Sequence, residues 1–438
     1  LTACRDEIEA FVVTAQSSAT RVLQQPDQAA VVDGSQSERA APATGAAIHP
    51  LTILMVVPTL QAGSAEAGTV DLVRLLTAGG HHPIVVSSGG RMLSDIAAAG
   101  AEFVFLNVAS KNPIVMLRNA VSMTRLIRKR RCNLIHAHGR APAWSAYCAA
   151  HWAGVPFLTT WYKGFREQNL LKRLYNGVMA RGDKVIAVSD QIADLINDRY
   201  GTPWERIAVI PTSIDVDRFN PDRIARPQID AVRRAWGVKA ETKIVLVAGR
   251  MARRKGHHVV VHAARRLKEL GLKDFLCIFI GEDQGRSRYT GQLWDLVLST
   301  GTADVVRMSG PIDDLPAAYA AASVVVSAAI QPEGLQRSIL EAQAMGKPVV
   351  VSDLGAGPDV VLAPPAVPED RMTGLRFSSG NADALAAALI RFFSLPEPAR
   401  RAVGTNGRAW VRAHFNPQAV TEPTLRLYAD VARRQHRP

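Results

Sequence analysis

The sequence predicts an α/β protein of two doubly wound domains facing a cleft. Three observations carry this. Short apolar runs alternate with helical patterns, the alternation falls into two separate series, and a polar, proline-punctuated segment at 211–228 divides them. Runs of four to six Val, Ile and Leu residues suit strands buried on both faces of a parallel sheet, which need crossover helices between them. At 438 residues the chain is long enough for two or three domains with a substantial core.

Residues 1–47 include Gln24-Gln25-Pro26 and an Ala/Pro/Gly run, with little periodicity after Val13, and read as a disordered extension. The first series opens at Leu51–Val57, stopped by Pro58. A loop containing Gly63 and Gly68 leads to a helical pattern through Val70, Leu72, Val73, Leu75 and Leu76, which Gly79-Gly80 ends. Strands follow at Ile84–Ser87, Phe103–Leu106, Leu134–His138, Pro156–Thr160, Lys184–Val188 and Ile207–Ile210, with helices over 113–130 and 141–153. The second series has strands at Lys243–Ala248, Phe275–Ile280, Val305–Met308, Ser323–Ser327 and Pro348–Ser352, and helices over 257–270 and 335–345. Helical patterns at 383–394, 397–413 and 418–434 close the chain. The expected domains are 48–215 and 228–415, followed by a helix within 416–438.

Hydrophobic residues at 47% and charged residues at 21% are ordinary for a soluble protein and exclude wholesale disorder or a polytopic membrane protein. The uncharged stretches Ala40–Ala65 and Leu315–Pro332 are interrupted by prolines and polar residues, so no transmembrane helix is expected. The net charge of +13 suits a nucleic acid, an anionic membrane or a phosphorylated small molecule. No nucleic-acid motif accompanies it, and no nucleic-acid partner is expected. Cys4, Cys132, Cys148 and Cys277 are scattered without a CxxC pair, which indicates reduced thiols in a cytoplasmic protein.

Ligands of open α/β sheets bind beyond the carboxyl ends of the strands. Three such places stand out. In Gly249-Arg250-Met-Ala-Arg-Arg-Lys255-Gly256, two cations five residues apart across a glycine-bounded turn could hold a diphosphate; a solvated basic turn is the plainer reading. Glu333 lies ahead of a helix whose start could seat a phosphate, and Glu341 lies about 12 Å further along the axis, among apolar residues. One carboxylate would then serve sugar hydroxyls and the other ribose. His136 and His138 share a sheet face with no third ligand nearby, which favours a lone polar contact over a metal.

These pieces resemble retaining glycosyltransferases of family 4. Glu333 and Glu341 form the Glu-x7-Glu signature, and His136-Ala-His138, Ile186-Ala-Val-Ser189, Gly249-Arg250…Lys255-Gly256 and Glu341-Ala-Gln-Ala-Met-Gly346-Lys-Pro348 fall in the family's order. The likeness runs over about residues 50–435. Segments 138–144 and 167–183 look like the bacterial branch that builds lipopolysaccharide core and related surface glycans.

The resemblance implies a GT-B fold with the C-terminal helix crossing back to the first domain. It implies a retaining hexosyltransferase that moves a sugar from a nucleotide-diphosphate donor to a cell-surface glycan or lipid-linked acceptor, without a metal or other cofactor. Arg250 and Lys255 would bind the donor diphosphate, Glu341 the ribose, Glu333 the transferred sugar, and His138 that sugar from the opposite domain. Pro311 and Ile312 would lie by the nucleobase, with Gly63, Gly334, Leu335 and Gln336 also at the donor. The chain departs from the family pattern at Gly63-Ser64, Tyr162-Lys163, Thr212-Ser213, Leu335-Gln336 and Asp359, and a side chain at Gln336 would crowd the phosphate seat. The alternatives are a non-catalytic GT-B subunit and a sugar-nucleotide epimerase. Lys163, Arg166, Lys172 and Arg173, mixed with Trp161, Tyr162, Phe165, Leu170 and Leu171, suggest peripheral binding to an anionic membrane at its cytoplasmic face. The basic run at 125–131 reads more simply as a solvated helix end.

Overall fold

A computed structural model describes residues 49–61, 64–164, 170–283, 285 and 287–434. The expected extension at 1–47, and Gly63 and Arg166, lie outside the described residues. The first sheet contains β1 (Thr52–Val56), β2 (His82–Ser87), β3 (Glu102–Phe105), β4 (Leu134–Ala137), β5 (Phe157–Trp161), β6 (Lys184–Ala187) and β7 (Ile207–Val209), in the order β3-β2-β1-β4-β5-β6-β7. The second contains β8 (Lys243–Ala248), β9 (Phe275–Ile280), β10 (Val306–Gly310), β11 (Val324–Ser327), β12 (Val349–Ser352) and β13 (Gly374–Phe377), in the order β10-β9-β8-β11-β12-β13. Every strand pairing is parallel. The two predicted doubly wound sheets are therefore present, and the arrangement is the GT-B fold.

The local reasons are visible in the residues. β11 and β12 are both Val-Val-Val-Ser and buried throughout, where β-branched side chains fit the pleat. The helix Pro113–Arg130 starts with proline at its first position and with Asn112 as cap, its side chain accepting from the Ile114 N–H at 2.9 Å. It ends at Arg131 in a left-handed conformation, φ 51°.

Strand order reverses beside β1 in the first sheet, where β4 is laid down on the far side from β2, and beside β8 in the second, where β11 does the same. Crevices form at such switch points. The helix Pro417–Arg434 returns to the first domain: Val420, Leu427, Tyr428 and Val431 pack in one cluster with Ile53, Met55, Leu134 and Leu158. The two chain passages between the domains run side by side, the Ile214 N–H donating to the Phe415 carbonyl at 2.7 Å.

Candidate active site

The turn after β8 and the loop after β11 meet at the second switch point. Gly256 makes the meeting possible. Its φ is +69°, and a Cβ there would lie 1.7 Å from the Ala328 carbonyl oxygen, so only glycine lets the turn press against the end of β11. The Ile330 N–H donates to the Arg254 carbonyl at 2.9 Å, pinning loop to turn, and the Glu333 carbonyl is held by the Ala356 N–H at 3.1 Å. This scaffold brings Lys255 Nζ to 2.6 Å from Glu333 Oε2, while Arg254 pairs with the other oxygen. Glu333 is buried. Burial and the neighbouring cations Arg254, Arg250 and Lys163 pull Lys255 down to about 7, whereas the adjacent Glu333 carboxylate favours its charged form.

Glu341 sits on the helix Arg337–Ala344 with both oxygens engaged: Tyr319 donates to Oε2 at 2.9 Å and Arg337 Nε to Oε1 at 3.0 Å. Burial raises its pKa, opposed by Arg337 and by the Tyr319 hydrogen bond. Arg337 also crosses to the first domain, donating to Asp71 Oδ2 at 2.8 Å and to the Ser213 carbonyl at 3.4 Å. Burial disfavours the charge on Arg337, but Asp71 and Glu341 more than offset it and raise its pKa.

On the facing side, His138 stands at the end of β4 with Nδ1 2.8 Å from the Tyr162 hydroxyl. Its Nε2 is buried with no protein partner, and burial pulls the imidazole down to about 3, so it is neutral near pH 7. His136 differs in role: its nitrogens meet the Tyr428 hydroxyl at 2.6 Å and Thr160 Oγ1 at 2.7 Å, tying the returning C-terminal helix to the sheet. The domains approach closely where Gly334 lies under Tyr162; a Cβ there would be 1.8 Å from the Tyr162 carbonyl oxygen. A cavity of about 1230 Å³ opens between them, lined by His138, Tyr162 and Lys163 from one side and by Arg254, Ile330, Gln331 and Pro332 from the other.

The structure thus gathers Lys255 and Glu333 at one wall of the cleft, with Arg250 close enough to repel Lys255, and puts His138 at the other. Pro311 and Ile312 follow β10, two strands away from β8. Leu335 and Gln336 are buried, and neither amide atom of Gln336 has a partner. Beyond the residues read from the sequence, the structure adds Arg254, on the short 3-10 helix Arg253–Lys255, as a second cation on Glu333, and Tyr319 and Arg337 as the partners of Glu341. One placement differs from the sequence reading. Trp161, expected in an exposed basic and aromatic loop, is buried in β5 and donates to the Met179 carbonyl at 2.9 Å.

Part of the expected loop is the helix Leu170–Asn176, on which Leu170 and Leu171 are 81% and 77% exposed beside Lys172 and Arg173. In the basic run at 125–131, Arg128 donates to the Trp152 carbonyl and Arg130 to Glu102, both at 2.8 Å. Among the described residues, no helix is long and apolar enough to cross a membrane, and no group of three or more His, Cys, Asp or Glu side chains could hold a metal ion.

Two family models match in succession: Glycosyltransferase Family 4 over residues 65–218, and Glycosyl transferases group 1 over residues 228–410. A solved glycosyltransferase from Rickettsia africae superposes with a TM-score of 0.78 at 30% identity, covering 87% of this chain and 99% of that one. HepE of Anabaena, solved in complex with UDP-glucose, shares the fold with a TM-score of 0.74 at 19% identity, covering 88% of this chain and 100% of that one. Among curated proteins, the D-inositol 3-phosphate glycosyltransferase of Nocardiopsis dassonvillei is 30% identical over 288 residues, 62% of this chain and 64% of that protein. The match therefore spans less than two thirds of that relative's length.

Proposed function

Because the chain belongs to glycosyltransferase family 4, we propose that it transfers a hexosyl group, with retention, from a nucleotide-diphosphate sugar to a bacterial cell-surface glycan or lipid-linked acceptor of the lipopolysaccharide-core type. The observation that carries the reading is the buried Glu333 held by Lys255 and Arg254 at the mouth of the cleft, opposite the neutral His138. A donor diphosphate competes with Glu333 for these two cations. Once they turn to the phosphates, the Glu333 carboxylate accepts hydrogen bonds from the sugar hydroxyls, and Arg250 adds charge beside the leaving group. The backbone N–H groups at the start of the helix Arg337–Ala344 face the same phosphates.

In the transfer, the anomeric carbon–oxygen bond to the diphosphate breaks while the acceptor oxygen bonds the anomeric carbon on the same face. The acceptor's proton passes to the departing phosphate oxygen. His138 Nε2 positions the sugar from the first domain, and Glu341, held by Tyr319 and Arg337, takes the ribose hydroxyls with its remaining lone pairs. Charge neutralisation by protein cations makes a metal unnecessary in this scheme. Exposed Leu170 and Leu171 beside Lys172 and Arg173 support peripheral attachment to an anionic membrane.

A panel of UDP-, GDP- and ADP-sugars, read by thermal shift and then by donor hydrolysis, tests the reading. Lys255→Ala is expected to cut turnover by about 10²-fold or more. Glu333→Ala should mainly lower kcat, and Glu341→Ala mainly raise the donor KM. Nucleotide binding without any turnover would instead identify a non-catalytic subunit.

A further inference from the structure

The main cavity of the cleft is unusually one-sided in charge. Its lining includes Lys111, Arg140, Lys163, Lys172, Arg199 and Arg254, and among the described residues no aspartate or glutamate. Arg254 is committed to Glu333 and Arg140 donates to Asn176 Oδ1 at 2.9 Å, so the argument rests on summed charge rather than on any idle side chain. Five of the six cations belong to the first domain, and of these Lys163 also feels Arg254 and Arg250 of the β8 turn. At about 1230 Å³ the cavity also exceeds the roughly 300–1,000 Å³ that encloses one small ligand.

Three polar atoms from lining residues add a second, independent signal. His138 Nε2, the Tyr175 hydroxyl and Asn176 Nδ2 are buried and have no hydrogen-bond partner in the protein. Asn176 is wholly buried and His138 is 2% exposed. Buried polar atoms are seldom left unpaired, and such atoms around a cavity mark where a polar ligand completes them. Loss of hydration and repulsion from Arg254, Arg250 and Arg140 lower Lys163 to about 8, with Glu66 the one nearby acid opposing this. A strong positive field therefore persists around Lys163 itself.

We propose that the first-domain half of this cavity is the acceptor site and that the acceptor is a saccharide carrying a phosphate monoester, whose anion sits among Lys111, Lys163, Lys172 and Arg199 while its hydroxyls meet His138, Tyr175 and Asn176. The proposal rests on the glycosyltransferase reading and adds to it the chemical class of the acceptor. A phosphate dianion gains from several cations at once in a partly enclosed site, where a neutral sugar gains nothing from them.

The test is calorimetric titration of glucose 6-phosphate, and separately of glucose, into full-length protein saturated with UDP, which occupies the donor cations. Glucose 6-phosphate is expected to bind at least ten times more tightly than glucose, with affinity falling between 50 and 300 mM NaCl. The triple variant Lys111→Gln/Lys163→Gln/Lys172→Gln should lose at least tenfold in that affinity, and the corresponding Lys→Arg triple should retain it. All three lysines are exposed, so the fold tolerates both sets, and the salt series on the wild type stands without any variant.

Equal binding of the two sugars, or an unchanged Gln triple, overturns the proposal. If UDP gives no thermal shift, the donor reading fails by itself. The sugar comparison run without nucleotide then still decides the acceptor question through a Lys111→Gln/Lys172→Gln pair, because neither of these lysines is among the cations that act on Lys255 in the β8 turn. Vesicles of phosphatidic acid, whose headgroup is a phosphate monoester, compared with phosphatidylcholine, identify the source of the anion. Competition with glucose 6-phosphate assigns it to a lipid headgroup, and lack of competition to a glycan phosphate; either result supports the proposed chemistry.

Discussion

Replacing Arg337 by methionine removes a guanidinium that joins two domains. The residue is 17% exposed at the side chain and serves carboxylates that are 11% exposed at Asp71 and 9% at Glu341. Removing one partner of such a buried ion pair costs about 3–5 kcal/mol, because the other charge is left dry and unpaired. Glu341 keeps its Tyr319 hydrogen bond and methionine fills much of the volume, which points to the lower end, about 3 kcal/mol. A domain of 150–250 residues loses about 2–4 °C per kcal/mol. For this larger body about 1–2 °C is appropriate, giving a Tm about 3–6 °C lower.

The pH dependence has a definite sign. Without the cation, Glu341 keeps the burial that raises its pKa and loses the charge that opposed it. Its contribution to stability is then fully present below about pH 4 and lost as pH rises through the folded value. The deficit against wild type should therefore be larger at pH 8 than at pH 5. Urea denaturation of wild type, Arg337→Met, Asp71→Asn and the double variant isolates the interdomain term, expected at about 1–2 kcal/mol of coupling. A Tm shift below 1 °C, or strictly additive effects of the two substitutions, would refute the reasoning.

Two further outcomes follow from the titrating groups. Lys255, at about 7, gains a proton when a nucleotide diphosphate binds. Calorimetric affinity should accordingly be fully present below pH 7 and weaken by up to about tenfold per pH unit above it, whereas a flat Kd between pH 6 and 8.5 would contradict this. Asp359 is raised to about 6 by burial, then by Asp190, against a hydrogen bond from Ser189. Its ionisation thus costs stability as pH rises through 6, so Asp359→Asn should raise the Tm by about 1–3 °C at pH 8 and by less at pH 5; an equal or lower Tm at pH 8 rules that out.

The fold was legible because its signals are local. Val-Val-Val-Ser at β11 and β12 and Phe-Leu-Cys-Ile-Phe-Ile at β9 are strands by composition, and parallel pairing follows from the helices between them. Lys255 and Glu333 were legible as chemistry, but their direct pairing was not, since 78 residues separate them and the segments meet through the Gly256 approach to Ala328 and the Ile330–Arg254 backbone hydrogen bond. Arg337 carried a readable sign, its i,i+4 spacing to Glu341 on a helix. Asp71, 266 residues from Arg337, carried none. Trp161 misled the reading because a basic, aromatic stretch begins on the last residue of a strand that is buried along its whole length. Chain neighbours of a strand end can face opposite environments, and composition alone does not resolve which one faces in.

The returning helix Pro417–Arg434 also sets the timing of biosynthesis. The face of the first sheet formed by Ile53, Met55, Leu134 and Leu158 is completed by Val420, Leu427, Tyr428 and Val431. Roughly 200 residues are made between Ile214 and Val420, on the order of 10–40 s at about 5–20 residues per second. Throughout that interval a nascent first domain has all its strands and lacks the side chains that finish its core. His136 then has Thr160 on one nitrogen and no Tyr428 on the other. The helix Pro417–Arg434, made after the second domain, is the one that seals the first.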